Sequence, residues 1–574
     1  IRDSVASRGR GDVYKRQPYA NGSLHIGHIA GAYLPADIFA RYHRLNGNHV
    51  LMVSGSDQHG TPITIRAEQE SVTPKELVAK YHAEFVEIWD RLGISWDCFT
   101  STGTDNHREV VHDIFTKLYK RDYIRAETTS HPYCEQDRRF LPDRYVEGTC
   151  PNCNYHLARG DQCEKCGQPR DPEELIDWRC RICGTAPILR ESEHFFLRLS
   201  MLRDVLIPWV KKADGRWRAN VHRFTLNWIT SELKDRPITR DIDWGVSVPL
   251  DGYQDKRIYV WFEAVIGYLS ASIEWAKQQQ KPDEWRRFWQ DPACKSYYFI
   301  GKDNIAFHAI IWPAMLMAYG SYDPKGEKGE YNLPFDIPSN EFLTLQGEKI
   351  STSQNWAVWV SDYLERFEPD PLRFYFSANM PESGDADFSW AEFVRRNNDE
   401  LVATYGNLVH RVLTLITRYF EGIVPRAQSL SQQDTALMEL ATVTLGAVSD
   451  SLATCRFREA ISIAMRLASE TNRYLDKKAP WHEVKEDTAL AANTLWTALN
   501  SISTLKTVLS PFLPFTSRKL HAMAGFPKTI EEIGWEIQSP QAGQVISNPT
   551  PLFSKIDPAV VEREEQLLAT RSGR

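Results

Sequence analysis

Residues 18–28 read PYANGSLHIGH, and the reading of this stretch decides the fold. Asn21-Gly22 is a tight-turn pair, and Ser23 after it is a helix-capping type. His25, Ile26, Gly27 and His28 follow. Two histidines three apart at a helix start can donate hydrogen bonds to phosphate oxygens, where unpaired backbone N–H groups already favour anions. Gly27 lets the backbone come close to a ligand. A turn of this kind follows a buried parallel strand, so the stretch predicts an α/β domain of Rossmann type.

A helix-like stretch continues to about Leu45, with Pro35 suited to start a second segment. HVLMV at 49–53 reads as a buried strand, and GSDQHGT at 55–61 as the loop at its carboxyl end, where open parallel sheets bind ligands. Asp57 in that loop is fit to hold an ammonium group; the bland reading makes it a helix N-cap. IYVWF at 258–262 and YYFIG at 297–301 read as further strands, the second running into Lys302-Asp303. Phe307, His308 and Trp312 sit on the helix after it. Aromatics gathered at strand ends suit an apolar side chain, and a thioether packs well on such rings, although each Trp alone reads as core.

Far downstream stands Lys349-Ile350-Ser351-Thr352-Ser353, preceded by Gly347 and by an apolar run at 342–345. With HIGH at 25–28 it resembles the paired HIGH and KMSKS signatures of class I aminoacyl-tRNA synthetases. The flanking residues narrow the resemblance to the methionyl-tRNA synthetases, over about residues 18–560. Thr352 stands where the commoner form has a second lysine; some methionyl enzymes share this threonine form.

The resemblance implies methionine adenylation with ATP and transfer to tRNA(Met). His25, His28 and Lys349 would be catalytic; ATP would contact His25, Gly27, His28, Gly301, Asp303, Lys349, Ser351 and Thr352, with Mg²⁺ on its phosphates. Methionine would be held by Tyr19, Asp57, Arg240, Trp261, Phe307, His308 and Trp312. For Arg240 the other reading is a surface ion pair. The family's pocket leucine falls on Gln17, a departure. Two alternatives are a class I synthetase for another apolar amino acid and a non-catalytic tRNA-binding relative. The insertion is too small for the editing domain of the branched-chain enzymes.

The 574 residues suggest three or four domains. The expected division is a Rossmann-type catalytic domain at 18–126 and 236–333, a zinc-binding insertion at 127–235, a second-signature and stem-contact region at 334–390, a helical anticodon-binding domain at 391–560 and a polar tail at 561–574. Residues 1–17, IRDSVASRGRGDVYKRQ, hold five basic residues and no apolar run longer than two. They read as a foreign segment joined to a truncated gene, or else as a divergent arm. On the first reading the chain lacks a central strand and one wall of its pocket. Net charge −7 argues against a generally basic nucleic-acid coat. No apolar run is long enough to span a bilayer and no signal peptide is visible, so neither membrane nor export is expected.

Ten cysteines, mostly in CxxC pairs, point to metal in a reducing compartment, hence the cytoplasm. Cys150, Cys153, Cys163 and Cys166 have the spacing of a four-thiolate Zn²⁺ site, structural because it leaves no open position. Cys180 and Cys183 form another knuckle. With Cys134 and Asp137 they make a possible second site, or else a vestigial one. Cys98, Cys294 and Cys455 lack partner spacing and read as core.

From about residue 391 the pattern is helical, with Leu401, Tyr405, Leu408, Val412 and Leu415 in one apolar stripe. Asn407 and Arg411 lie off it, and Trp481 follows a later helix. Alone these are a surface pair and a core tryptophan; the resemblance makes them anticodon-reading residues. Nothing after residue 557 has the length of an OB-fold, so a monomer is expected.

Overall fold

A computed structural model describes residues 10–15, 17–160, 163, 165–166, 172–231, 233–322, 329–352 and 354–573. Ser353 of the second signature lies outside the described residues. The catalytic sheet has five parallel strands: β1 (Arg10–Lys15), β2 (His49–Ser56), β3 (Cys98–Ser101), β4 (Cys294–Gly301) and β5 (Ser339–Asn340), in the order β5-β4-β1-β2-β3.

The expectation of a missing central strand is therefore corrected. β1 occupies the centre, with Val13 opposite Tyr297 on one side and Met52 on the other. A parallel ladder is made by main-chain groups, so it forms without the apolar run that normally advertises it. Val13 is buried in the core.

Helices on both faces connect the strands. The first turn passes through Ile26–His28 and a π-turn at Ile29–Tyr33 into α1 (Leu34–Leu45). α2 (Asp105–Lys120) follows β3, and α3 (Val260–Gln278) precedes β4. The predicted strand at 258–262 is mostly the start of α3; the paired strand is Arg257–Ile258, and Tyr259 is the extended cap before the helix. A short apolar run such as VWF suits either conformation, and here it heads a helix of 19 residues. α4 (Trp312–Tyr319) continues a second π-turn, Phe307–Ile311.

The insertion leaves and returns on two long antiparallel strands, Ile124–Cys134 and Ile188–Leu197, with the cysteine knuckles at their tip. Helices Arg203–Lys211 and Ala219–Thr230 then pack back on the catalytic half: Leu206, Trp209, Val221 and Ile229 share a core with Ile300 and Trp312. The metal-bearing part is thus shorter than 127–235.

Leu343–Leu345 pairs with Glu348–Lys349 and with Ala386–Phe388. α5 (Val360–Arg366) and α6 (Pro369–Ala378) lead to the bundle of α7 (Asn407–Phe420), α8 (Gln432–Ala453), α9 (Phe457–Lys478) and α10 (Thr488–Leu509). α8 has the length and mean hydropathy to cross a membrane, although Asp434, Glu439 and Asp450 interrupt it and it holds no unbroken apolar run of that length. It packs against α9 and α10, and its Asp434 accepts a hydrogen bond from Tyr474 of α9 at 2.6 Å. The predicted polar tail is instead α11 (Ala559–Ser572), whose Val560 and Leu568 are buried.

Candidate active site

The first turn is capped by its own histidines. The Gly27 N–H donates to His25 Nδ1 at 3.1 Å, and the His25 N–H donates to His28 Nδ1 at 3.2 Å. His25, rather than the expected Ser23, is the N-cap; the Ser23 hydroxyl donates to Glu84 Oε2 at 3.1 Å. Each accepting Nδ1 leaves the ring's proton on Nε2, the atom that can donate to a phosphate oxygen. Burial lowers the His25 pKa to about 4, so its ring is neutral at physiological pH. The two rings lie 3.8 Å apart between centroids.

The second signature is pressed onto this turn. A hairpin with φ of 52° at Gln346 and 78° at Gly347 delivers Lys349 to an exposed position. A Cβ at Gly27 would lie 3.2 Å from Ile350 Cδ1 and 2.9 Å from His25 Cε1. Downstream, the Ile26 N–H donates to Val358 O at 3.0 Å and the Val360 N–H to Leu24 O at 2.9 Å. Ser351 and Trp356 exchange backbone bonds of 2.9 Å, closing the loop that carries Thr352. Gly301 and Asp303 stand at the carboxyl end of β4, where Asn304 Nδ2 donates to Asp303 Oδ1 at 2.9 Å.

Beside the turn is an aromatic cluster, the candidate recess for an apolar side chain. The Tyr19 and Asp57 segments pair in parallel, through Ala20 N–H to Asp57 O and Asp57 N–H to Pro18 O, both 2.8 Å. Trp261, 40% exposed, donates from Nε1 to the Tyr19 hydroxyl at 3.3 Å and packs edge-on against Phe307 at 4.8 Å. The Arg240 guanidinium lies 3.8 Å from the Tyr259 ring centroid, next to Trp261. His308 is buried; its Nδ1–H donates to Asn304 O at 2.9 Å, so Nε2 accepts from the Tyr268 hydroxyl at 2.7 Å. Trp312 stands behind as core, Nε1 donating to the Tyr298 hydroxyl at 3.0 Å.

Sequence reasoning did not single out Tyr268, the buried partner of His308. It lies seven residues after Trp261, on the same face of α3, and reading 258–262 as a strand hid that period. Gln17 is buried against Gly267 of the same helix, and its Oε1 has no hydrogen-bond partner.

Both predicted metal clusters assemble. The ligand atoms of Cys150, Cys153, Cys163 and Cys166 lie within 4.8 Å of one another, as do those of Cys134, Asp137, Cys180 and Cys183. Cys150–Cys166 at 3.8 Å and Cys153–Cys163 at 3.6 Å match a tetrahedron with arms of about 2.3 Å, whose edges are about 3.8 Å. Asp137 Oδ2 lies 3.0 Å from Cys180 Sγ and 3.3 Å from Cys134 Sγ. Both knuckles use one turn: Asn154 N–H donates to Cys150 O and Gly184 N–H to Cys180 O, both at 2.9 Å, and Asn154 and Gly184 have φ of 56° and 76°.

In the bundle, the Arg411 guanidinium lies 4.5 Å from the Trp481 ring centroid and is held by Asp476 at 2.8 Å. Asn407 is exposed one turn earlier on α7. Arg411 of α7 and Trp481 of the Pro480–Glu486 helix therefore meet, with Asn407 four residues before Arg411 on α7.

The histidine turn facing the lysine loop across the end of a parallel sheet defines the catalytic half of a class I aminoacyl-tRNA synthetase. A family model described as "tRNA synthetases class I (M)" matches residues 14–413, and one described as the anticodon-binding domain of methionyl tRNA ligase matches 424–572. The methionine–tRNA ligase of Dehalococcoides mccartyi is 56% identical over 95% of this chain and 97% of its own length. That of Thermomicrobium roseum is 50% identical over 98% and 99%. Among solved structures, Mycobacterium tuberculosis methionyl-tRNA synthetase in complex with methionyl-adenylate aligns with TM-score 0.77 and 25% identity, covering 95% of this chain and 99% of that one. The chain belongs to the methionine–tRNA ligase family.

Proposed function

We propose that this chain activates methionine with ATP and transfers the methionyl group to tRNA(Met), serving initiation and elongation. The methionine carboxylate attacks the α-phosphorus of ATP, a carboxylate–phosphorus bond forms and pyrophosphate leaves. A hydroxyl of the terminal tRNA ribose then attacks the acyl carbon, and AMP leaves. Catalysis is positioning and charge stabilisation, with no covalent bond to the protein.

The observation that carries the reading is the close approach of the two signatures, with Ile350 Cδ1 only 3.2 Å from where a Cβ on Gly27 would stand. His25 and His28 offer Nε2–H donors from one side, and Lys349 brings a positive charge from the other. Ser351, Thr352, Gly301 and Asp303 complete the nucleotide site. Mg²⁺ supplies charge neutralisation on the phosphate oxygens when bound. Asp57 takes the α-ammonium, and Tyr19, Trp261, Phe307 and His308 enclose the thioether, backed by Trp312; Arg240 guards the mouth. Asn407, Arg411 and Trp481 read the anticodon by hydrogen bonding and stacking.

Zn²⁺ fits both knuckle clusters, with a structural task in each: it cross-links the tip of the insertion. A reducing compartment keeps those thiols available, which supports the cytoplasm. One chain carries every residue of the site, so the proposal needs no second copy and takes the enzyme as a monomer. The non-catalytic alternative drew on a missing strand, and β1 removes that support.

Methionine-dependent exchange of pyrophosphate into ATP tests the reading. Exchange with methionine, and not with leucine or valine, is expected; absence of exchange with tRNA binding retained would overturn it. A second arm replaces residues 1–17 by a Met-led apolar strand that puts Leu at position 17. We expect this to raise exchange, because the orphaned Gln17 oxygen disappears from the recess wall. Equal activity of both forms would sink the idea that residues 1–17 are foreign.

A further inference from the structure

Below the amino-acid recess is a buried acid that adenylation does not use. Glu263, two residues after Trp261 on α3, is fully buried. Each of its oxygens takes a different histidine: Oε1 lies 2.8 Å from His59 Nδ1 and Oε2 lies 2.6 Å from His107 Nε2. His107 belongs to α2, is itself fully buried, and places Nδ1 2.8 Å from Ser270 Oγ of α3. A carboxylate at this depth is tolerated when both oxygens are bonded. Burial pushes its pKa up, but His59 and His107 pull it down further, so it stays ionised.

His59 lies two residues after Asp57, and its backbone N–H points at Asp57 Oδ1, 3.4 Å away. The Asp57 loop is pressed onto α3: at Gly60, φ 97°, a Cβ would come within 3.1 Å of Val260 Cγ1. On the other side Trp244 donates from Nε1 to Gln58 O at 2.6 Å, and its ring meets the His59 ring edge-on at 5.9 Å. Asp57 and Trp261 thus come from separate elements, the end of β2 and the start of α3. Tyr19 ties them at the top, and the Glu263–His59 bond ties them at the base.

We propose that Glu263 is a positioning residue for methionine: by clamping His59 to α3 it sets the distance between the Asp57 carboxylate, which takes the α-ammonium, and the Trp261 wall, which takes the side chain. This rests on the pocket reading given under Proposed function. His107 anchors the other carboxylate oxygen, so the clamp is fixed relative to α2 as well. A misplacement of about 1 Å at such a pair is enough to cost up to roughly a hundredfold.

The test is pyrophosphate exchange by the full chain, with methionine and ATP varied separately. His59→Ala and Glu263→Gln are each expected to raise the methionine KM by about ten- to a hundredfold and to leave the ATP KM unchanged. His59→Asn, whose side-chain amide offers an N–H where Nδ1 stood, should restore most of the affinity. The double variant His59→Ala with Glu263→Gln should be no worse than the worse single change, because one bond is removed once. Thermal melting checks that each variant is folded; if Glu263→Gln does not fold, the two His59 variants decide. Asp57→Ala is the control for the pocket. A raised methionine KM in Asp57→Ala with none in folded His59→Ala overturns the positioning role. An unchanged methionine KM in Asp57→Ala overturns the pocket reading itself, and the proposal falls with it.

Discussion

At the scale of single residues, Gly27 joins the two halves of the site by having no side chain. A methyl there would press on both the His25 ring and Ile350, at 2.9 and 3.2 Å. Gly27→Ala is expected to lower kcat for pyrophosphate exchange by roughly a hundredfold, with little change in methionine binding measured by Trp fluorescence. His25 makes a prediction about pH. Its folded pKa of about 4 lies below the ordinary 6.5, so between those values the unfolded chain binds a proton that the folded chain does not. The residue therefore withdraws stability as pH falls from 6.5 to about 4 and has no further effect below. NMR titration should show its Cε1–H moving near pH 4; a midpoint near 6.5 would refute the buried neutral ring. The residue types of this turn were legible in the sequence. The cap was not, because a histidine ring accepting from its own turn competes with Ser23 only once the backbone is folded.

At the scale of elements, the knuckles and the first strand are opposite cases. Four cysteines at fixed short spacing announce their turn, since only a tight bend lets both thiolates face one ion. The structure brings the carboxylate of Asp137, read from the sequence as a partner of the second knuckle, against Cys134 and Cys180. We expect metal analysis to find two zinc equivalents per chain, falling to one in Asp137→Ala; a single equivalent in the unchanged chain would leave the second cluster metal-free. β1 shows the reverse. Its sequence carries a basic, weakly apolar pattern, yet its neighbours on both sides supply a complete ladder. Similarly, VWF at 260–262 is apolar in either conformation. The helical continuation to Gln278 places Trp261, Glu263 and Tyr268 on α3, where the recess and its buried support share one element.

At the scale of the whole molecule, the catalytic half and the bundle are locked by buried charge. Arg373 of α6 donates to Asp37 of α1 at 2.6 Å, and also to Phe512 O and Pro511 O, both at 2.8 Å. Asp37 also holds Arg41 at 2.9 Å and the Ser95 N–H at 2.8 Å. Both partners of the pair are buried. Asp37→Ala leaves Arg373 without its counter-charge, so a loss of about 3–5 kcal/mol is expected in urea unfolding; a loss below about 1 kcal/mol, the usual worth of an exposed pair, would show the junction to be solvated. α11 adds a second junction. Gln346 Nε2 donates to Glu565 Oε1 at 3.0 Å and Asn355 Nδ2 to Arg571 O at 3.2 Å, so the helix touches both flanks of the lysine loop.

The sequence by itself determined the family, the two signatures, the metal spacings and the apolar stripe that runs from Leu401 into α7. All of these are carried by residue types at short fixed intervals, and local chemistry is enough to read them. Only the tertiary structure decided that residues 10–15 complete the sheet, that Asp37 meets Arg373, that residues 559–572 brace the loop, and that Glu263 finds two histidines. Those depend on contacts between segments far apart in the chain, where a residue's partner, not its type, sets what it does.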